Sequence, residues 1–264
     1  MHLSKHHGLG NDFLVVTDLA GVAPITADLA RAVCDRHRGI GADGLLRLSA
    51  GTHGAALTME LRNADGGVAE MSGNGLACLV QAAVLVGAAG DGEVTVTTGA
   101  GRRAVRVAAT ASARTHEMTV DMGPAKLGDE AADWVGGEVR RAVTVDMGNP
   151  HLVLAVDDPA SVDLVTLGER ANTTIPGGIN VEVIAKASTA EPALAMRVYE
   201  RGVGLTEACG TGACASAAAA QAWGLAPDDV IVLQPGGAAT IHVGDPIRMT
   251  VPVVHIADIE WPDA

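Results

Sequence analysis

Aromatic residues are scarce in this chain of 264 residues, which has three Trp, one Tyr and one Phe. Basic residues are also in the minority, because 18 Lys and Arg stand against 31 Asp and Glu and give a formal net charge of −13. Proteins that bind nucleic acid rely on positive charge against phosphate and, for single strands, on aromatic stacking. The composition therefore argues against a nucleic-acid partner.

Long apolar runs and metal-binding spacings are missing as well. No stretch reaches the ~18 consecutive apolar residues of a membrane span, and the opening residues MHLSKHHGLG carry no apolar signal segment. We therefore expect a cytoplasmic protein with reduced cysteines and no membrane partner. No cluster of His, Cys, Asp or Glu has metal-ligand spacing, and no lysine stands out as a Schiff-base residue. We expect neither a metal nor another cofactor.

Small residues are abundant instead, with 33 Gly and a hydrophobic fraction of 48% that is rich in Ala and Val. This composition is globular and supplies enough apolar material for one large domain or two of ordinary size. Small residues let backbones approach closely, which favours tight packing of helices on sheets.

The chain repeats itself at a nearly constant offset of 137 residues. This offset places Met59 on Met196, and it brings residues 70–75 onto residues 207–212 without a gap. An offset of 138 aligns Gly10-Asn11 with Gly148-Asn149. Such an ordered series of matches predicts a duplicated chain.

Both halves show the same order of strands and of amphipathic or Ala-rich helices. The predicted strands cover residues 13–17, 44–49, 56–62 and 93–108, and then 152–156, 180–186, 193–200 and 230–254. The predicted helices cover residues 27–36, 75–86, 162–172 and 212–223. We predict an α+β fold of two pseudo-symmetric halves, each a curved, mainly antiparallel sheet around a central helix. The halves comprise residues 1–115 and 116–264, the C-terminal tail can return to the first half, and the active site is expected in the cleft between them.

Two glycine turns precede the Ala-rich helices, Ser72-Gly73-Asn74-Gly75 and Cys209-Gly210-Thr211-Gly212. The unpaired N–H groups and the positive dipole end of a helix N-terminus bind an anion without a basic side chain. Two such termini would hold one carboxylate, with Ser72 and Cys209 on opposite faces of the adjacent carbon. Because a helix N-terminus lowers the pKa of a thiol, we expect Cys209 to be partly thiolate near neutral pH. This arrangement suits inversion of a stereocentre.

Each of these features also has a structural interpretation. Gly-x-Gly before a helix is often only a tight turn, and cysteine is among the residues most often buried. Cys34, Cys78 and Cys214 lie on apolar faces of predicted helices and fit that structural role. Cys209 differs from them because its repeat partner Ser72 is also nucleophile-like and equally placed.

Seven motifs follow one another along the chain. They are residues 5–13 (KHHGLGNDF), 36–43 (RHRGIGAD), 63–75 (NADG through GNG), 148–151 (GNPH), 180–182 (NVE), 200–202 (ERG) and 207–212 (EACGTG). In these motifs and their order the chain resembles the diaminopimelate epimerase family nearly from end to end. The resemblance implies two similar α/β halves and a cofactor-independent isomerase that interconverts LL- and meso-2,6-diaminopimelate.

The resemblance also implies roles for individual residues. Cys209 and the residue at position 72 would be the opposed acid/base residues, with Glu200 and His151 beside the reacting carbon. The implied substrate-binding set is Asn11, Asn63, Gly73, Asn74, Asn149, Asn180, Glu200, Arg201, Gly210 and Thr211. The residue chemistry agrees, because a second amino-acid head group needs an Arg for its carboxylate and oxygen acceptors for its ammonium. Taken alone, Arg201 and Glu200 could be a solvated ion pair, and His151 could simply cap a strand.

Two positions depart from the family pattern. Gly44 stands where a Gln is usual, so any contact from that side chain is lost. Ser72 stands where the other catalytic cysteine is expected, and each pKa unit between hydroxyl and thiol costs about 1.36 kcal/mol if the deprotonated form is required. Three explanations stay open: a natural Ser/Cys enzyme, which we favour, an engineered Cys-to-Ser variant, or divergence to another reaction at an amino-acid α-carbon.

Other functions also stay open on sequence grounds. A related amino-acid racemase or dehydratase could use the Ser/Cys pair, although Arg201 with Asn63, Asn149 and Asn180 suits a second charged head group. A non-catalytic binder would keep the carboxylate-binding turns without turnover. We expect diaminopimelate as the small-molecule partner, and the acidic surface does not prevent a homodimer.

Overall fold

The computed structural model describes residues 1–52, 54–112 and 114–262, without the side chains of residues 109–111. The chain divides into two compact units, of which the first comprises Met1–Asp121 and the segment from Thr250, and the second comprises Met122–Met249. The boundary expected from the sequence, between residues 115 and 116, falls a few residues before this division.

The first unit contains eight strands and two helices among its described residues, counted without the last strand of the chain. The strands are β1 (His2–Gly8), β2 (Asn11–Thr17), β3 (Gly44–Ala50), β4 (Leu57–Asn63), β5 (Val68–Ala69), β6 (Gly92–Thr98), β7 (Gly101–Ser112) and β8 (Thr115–Gly123). The helices are α1 (Ala27–Cys34) and α2 (Gly73–Leu85). Strands β1, β2, β3, β4, β6 and β7 are neighbours in that order. The pairs β2/β3 and β4/β6 are parallel, and the others are antiparallel.

The second unit repeats this plan. Its strands are β9 (Lys126–Glu130), β10 (Val139–Asp146), β11 (Pro150–Val156), β12 (Asn180–Lys186), β13 (Ala193–Glu200), β14 (Gly204–Thr206), β15 (Asp229–Gln234) and β16 (Gly237–His242), and its helices are α3 (Leu164–Thr174) and α4 (Gly210–Ala222). Strands β10, β11, β12, β13, β15 and β16 are neighbours in that order, with β11/β12 and β13/β15 parallel. The same strand order and the same two parallel pairs confirm the duplication predicted from the sequence.

The last strand, β17 (Ile247–Glu260), begins in the second unit and continues in the first. There it pairs antiparallel with β1, with Leu3 opposite Ile259. The C-terminal segment thus forms part of the sheet that surrounds α2.

Helices α2 and α4 occupy the centres of their units. Almost every residue of α2 is buried, and α4 buries a continuous run from Gly212 to Ala220. Helix α2 contacts β1, β2, β3, β4 and β7, while α4 contacts β10, β11, β12, β13, β15 and β16. The small side chains of the Ala-rich α4 allow a curved sheet to close tightly around a helix. The predicted curved sheet around a central helix is confirmed in each unit.

Several predicted boundaries differ from the observed ones. The predicted strand 93–108 is a hairpin of β6 and β7 that turns at residues 99–100, and the predicted strand 230–254 is three strands. Helix α1 ends at Cys34 rather than at residue 36, because the Asp35 carboxylate accepts the N–H groups of His37 and Arg38 and turns the chain. The hydrophobic pattern alone predicted longer helices and strands, because it does not show the side-chain and turn contacts that end them.

Among the described residues no helix is long and apolar enough to cross a membrane. The four cysteines are buried free thiols. The sequence predicted burial for Cys34, Cys78 and Cys214 but not for Cys209.

Candidate functional site

Ser72 is the N-cap of α2 in the first unit. Its backbone is extended (φ −142°), and its Oγ accepts the N–H of Gly75 at 3.0 Å. An N-cap of this kind satisfies one of the four N–H groups that a helix start leaves unpaired. Helix α2 therefore begins at Gly73, two residues before the predicted start.

Cys209 is the N-cap of α4 in the second unit. Its Sγ accepts the N–H of Gly212 at 3.4 Å, and its own N–H donates to Gln234 Oε1 at 2.8 Å. The backbone is extended here as well (φ −131°). The two repeats thus place a nucleophile-type side chain at the same capping position, which agrees with the predicted glycine turns.

The predicted low pKa of Cys209 is wrong. Burial, reinforced by the carboxylates of Glu200 and Glu182, raises the pKa of the Cys209 thiol well above its usual range. The hydrogen bonds with Thr211 and with the Gly212 N–H act in the opposite direction but do not compensate. Cys209 is only 6% exposed, so desolvation of the thiolate outweighs the helix N-terminus. The Cys209 thiol therefore keeps its proton near neutral pH.

Glu200 lies at the end of β13 and is half-buried. Its Oε1 accepts the hydroxyl of Thr206 at 2.6 Å. Burial and the nearby charge of Glu182 raise the pKa of the Glu200 carboxyl, although the hydrogen bond from Thr206, the charge of His151 and the nearby Cys209 thiol oppose the shift. Burial therefore raises the pKa of both Glu200 and its neighbour Cys209.

His151 and Glu182 form a second pair inside the same unit. His151 Nδ1 lies 2.7 Å from Glu182 Oε1, and neither side chain has any solvent exposure. On the other side of the ring, His151 Nε2 lies 3.1 Å from Asn149 Oδ1. His151 is thus a fully buried member of a hydrogen-bonded chain and does not simply cap a strand.

The remaining polar residues of the second unit surround these two pairs. The amide nitrogen of Asn149 donates to Thr211 Oγ1 at 3.4 Å, and Gly210 is the first residue of α4. Asn180 is buried and its Oδ1 accepts the backbone N–H of Arg201 at 2.9 Å. Arg201 is exposed, and its guanidinium donates to the Gly177 carbonyl at 3.1 Å rather than to an acid.

In the first unit, Asn11 and Asn74 lie next to each other. Asn74 Nδ2 is 3.4 Å from Asn11 Oδ1, and the buried Asn74 Oδ1 has no hydrogen-bond partner among the described residues. Asn11 Nδ2 donates to Asp43 Oδ2 at 2.7 Å. Gly73 is the buried first residue of α2, and Asn63 is exposed at the end of β4.

An ionic network holds Asn11 in position. Asp12 is paired with Lys5 at 2.9 Å and with Arg36 at 2.7 Å, and Arg36 also reaches Asp43. Although burial by itself raises the pKa of the Asp12 carboxyl, the hydrogen bonds and charges of Arg36 and Lys5 lower it overall. Asp12 is therefore a carboxylate that ties β2 to the loop before β3.

At Gly44 the structure shows what fills the space of the expected Gln side chain. A Cβ added at Gly44 would lie 2.9 Å from the Arg62 carbonyl oxygen and 3.1 Å from the Phe13 ring. The strand neighbours thus leave no room for a longer residue with this backbone.

Glu182 has no role predicted from the sequence, although it belongs to the segment Asn180-Val181-Glu182. A Glu between the apolar residues Val181 and Val183 was the available signal, since a carboxylate is almost never fully buried without a partner.

No group of three His, Cys, Asp or Glu side chains in the described part of the chain is placed to hold a metal ion.

Solved structures define the class of fold to which this chain belongs. A PhzF-family phenazine biosynthesis protein of Bacillus anthracis matches with a TM-score of 0.76, 14% identity and full coverage of both chains. A probable proline racemase of Agrobacterium radiobacter matches with a TM-score of 0.72 and 18% identity, covering 99% of this chain and 92% of that one. At these identities the likeness shows the fold alone, a duplicated sheet-dominated architecture with few helices.

Sequence comparison identifies the family within this class. The sequence model described as diaminopimelate epimerase matches residues 3–128 and 143–254. Diaminopimelate epimerase of Rhodospirillum centenum is 38% identical over 270 residues, which cover 94% of this chain and 88% of the relative. The enzyme of Mycobacteroides abscessus is 38% identical over 292 residues, which cover 100% and 97%. The chain belongs to the diaminopimelate epimerase family.

Proposed function

We propose that the protein is a cofactor-independent amino-acid epimerase, an isomerase that interconverts LL- and meso-2,6-diaminopimelate in lysine and peptidoglycan precursor biosynthesis. One observation carries the proposal: Ser72 and Cys209 are the N-caps of equivalent helices in the two repeats. The family match over nearly the whole chain supports this assignment.

The substrate carboxylate binds at the N-termini of α2 and α4 in this proposal. The N–H groups of a first helical turn lack intrahelical partners, and the helix dipole adds positive potential. Gly73, Asn74, Gly210 and Thr211 supply this first turn in the two repeats. Donors at the carboxylate stabilise the charge that develops when the α-proton leaves.

Cys209 takes the α-proton from one face in one direction of the reaction. Its thiol must first lose a proton, and the carboxylate of Glu200, which lies near Cys209, is the acceptor. The raised pKa of the Glu200 carboxyl makes this residue a better proton acceptor than an ordinary carboxylate. Cys209 therefore becomes a thiolate only when its proton moves to Glu200.

Ser72 delivers its hydroxyl proton to the opposite face of the carbanion and is left as an alkoxide. Before the next turnover solvent returns a proton to Ser72, and Glu200 releases to solvent the proton that it took from Cys209. In the reverse direction Ser72 and Cys209 exchange roles. A hydroxyl is a weaker acid than a thiol, and an alkoxide is a stronger base than a thiolate. Proton transfer at Ser72 is therefore slower than proton transfer at Cys209. His151 lies beside the reacting carbon in this proposal.

The distal amino-acid head group of diaminopimelate explains the remaining polar residues. Arg201 binds the distal carboxylate, and oxygen acceptors of Asn63, Asn149 and Asn180 bind the distal ammonium. Asn11 contributes from the first unit. A shorter or aromatic amino acid would leave these charged and polar groups unpaired, which disfavours it as a substrate.

The test is incubation of purified protein with LL-diaminopimelate, followed by chiral chromatography. We expect conversion to a mixture of LL and meso isomers, and loss of conversion in Cys209→Ala. Binding of diaminopimelate without conversion would identify a non-catalytic binder. Conversion of another amino acid but not of diaminopimelate would identify a diverged racemase or dehydratase.

We also propose a cytoplasmic location and a homodimer. Sedimentation of the purified protein tests the dimer, and a mass of one chain at assay concentrations would exclude it.

A further inference from the structure

The titratable groups of the site are concentrated in one repeat. His151 lies opposite Asn180 across β11 and β12, and two positions further along Val153 lies opposite Glu182. In the first unit the matching register places Phe13 opposite Gly44 and Val15 opposite Leu46. The positions of His151 and Glu182 are therefore occupied by Phe13 and Leu46 in the other repeat. A buried ionic pair at apolar positions of a repeat needs an explanation, because burying it costs stability.

Glu182 approaches the first turn of α4. A Cβ added at Gly212 would lie 2.6 Å from Glu182 Oε1, so only glycine permits this approach. The other oxygen, Oε2, is buried and has no hydrogen-bond partner among the described residues. A buried carboxyl oxygen without a hydrogen-bond partner is costly, which indicates that Glu182 is kept for a purpose other than stability.

Two hydrogen bonds fix the orientation of the His151 ring. Its Nδ1 lies 2.7 Å from Glu182 Oε1, and its Nε2 lies 3.1 Å from Asn149 Oδ1. The Asn149 amide in turn lies 3.4 Å from Thr211 Oγ1 in the first turn of α4. A carboxylate accepts hydrogen bonds, so the ring donates to Glu182 through Nδ1 and Nε2 is left on the side of Asn149 and Thr211.

We infer that Glu182 is a positioning residue of the epimerase site, which holds His151 through its Nδ1 and thereby directs Nε2 toward the reacting carbon. This inference rests on the proposed function. Glu182 does not itself touch the substrate; it acts through the imidazole, as a buried carboxylate orients a catalytic histidine.

Two further titratable groups near this pair are in the same unit. Glu200 on β13 senses the charges of both His151 and Glu182, and Cys209 at the start of α4 senses Glu182. The residue opposite His151 on β10 is the apolar Val145. Glu182 is thus the carboxylate in direct contact with the ring.

The test compares Glu182→Gln with the native chain. We expect kcat to fall by about 10²-fold with a much smaller change in KM, because the variant loosens the orientation of His151 and leaves the substrate-binding residues in place. We also expect the shape of the pH–kcat profile to change, because the imidazole loses the carboxylate that contacts it. Glu182→Asp keeps a carboxylate and should retain the native pH profile with a smaller loss of kcat.

A matched control is available in the same unit. His242 Nδ1 and Asp229 Oδ1 form a second histidine–carboxylate pair at 2.8 Å, on an exposed hairpin. Asp229→Asn should leave both kcat and the pH profile unchanged. A native kcat and pH profile in Glu182→Gln would overturn the inference.

A readout without turnover separates this inference from the proposed function. In ¹⁵N-histidine NMR spectra of the native protein, we expect the Nδ1 of His151, assigned by its loss in His151→Gln, to carry a hydrogen-bonded proton. An Nδ1 without a proton would overturn the inference even if the enzyme is active and even if Glu182→Gln does not fold. Failure of diaminopimelate conversion with a protonated Nδ1 would overturn the proposed function alone.

Discussion

At the scale of single residues, environment decides the chemistry of Cys209 more strongly than its position in a helix. The N-cap position predicts a lowered thiol pKa, yet burial and two nearby carboxylates raise it. Glu200 shares the same environment and has a raised pKa as well. In the proposed mechanism the acid/base group of this repeat is therefore the Cys209–Glu200 pair, in which one proton moves from sulfur to oxygen.

Ser72 offers the sharpest test at this scale. We expect Ser72→Cys to raise kcat/KM by at least about 10-fold, because every pKa unit gained by the thiol is worth about 1.36 kcal/mol where the deprotonated form is needed. The increase should occur in both directions, since the equilibrium constant fixes their ratio. Steady-state assays from LL- and from meso-diaminopimelate measure it.

The control for this substitution is Ser161→Cys, which adds a thiol at an exposed serine and should change nothing. Unchanged or lower turnover in Ser72→Cys would mean that the hydroxyl suits the native chemistry and does not limit the rate.

At the scale of elements, the two central helices α2 and α4 are capped at equivalent positions but pack against different side chains. At Gly75 an added Cβ would lie 3.3 Å from the Phe13 ring, whereas at Gly212 it would lie 2.6 Å from Glu182 Oε1. The first turn of α2 thus packs on an aromatic ring, and the first turn of α4 packs on a carboxylate. The helix begins at the equivalent position in both repeats, but the side chain packed against its first turn differs.

Gly212→Ala tests this close approach. The methyl group must displace the Glu182 carboxylate, so we expect the free energy of unfolding to fall by about 1 to 3 kcal/mol, together with a loss of kcat. Urea denaturation and the epimerase assay measure the two effects. Gly90→Ala is the control, because a Cβ there meets no atom within 4 Å. Native stability of Gly212→Ala would contradict the close packing.

At the scale of the whole chain, a buried histidine makes the fold sensitive to mild acid. His6 has no solvent exposure, and burial lowers its pKa to about 4, although its hydrogen bond with Gln81 opposes the shift. The unfolded chain binds this proton below about pH 6.5, whereas the folded chain binds it only near pH 4. Stability therefore falls as the pH drops between these two values.

We expect this histidine to contribute about 3 kcal/mol to the loss of stability between pH 6.5 and pH 4. His6→Gln should flatten the dependence of the unfolding free energy on pH in this window, while the exposed His37→Gln should not. Urea denaturation at a series of pH values measures both. An unchanged slope in His6→Gln would show that other groups cause the acid sensitivity.

Much of the fold could be predicted from the sequence. Repeats and period-2 strands are local patterns, so the duplication and most elements were predicted, and strands β12 and β13 were predicted to the residue. The thiol pKa of Cys209 was not, because it depends on carboxylates that come from β12 and β13 through tertiary packing. The pairing of His151 with Glu182 required the parallel register of β11 and β12, which no local pattern specifies.

The central claim is that residues of this chain alone remove and return the α-proton of diaminopimelate. The most direct measurement is a single-turnover reaction of LL-diaminopimelate in deuterated water, with deuterium located by NMR. The account predicts that the meso product carries deuterium at the inverted carbon and that Cys209→Ala shows neither inversion nor exchange. Absence of both inversion and exchange with the folded native protein, from either isomer, would contradict it.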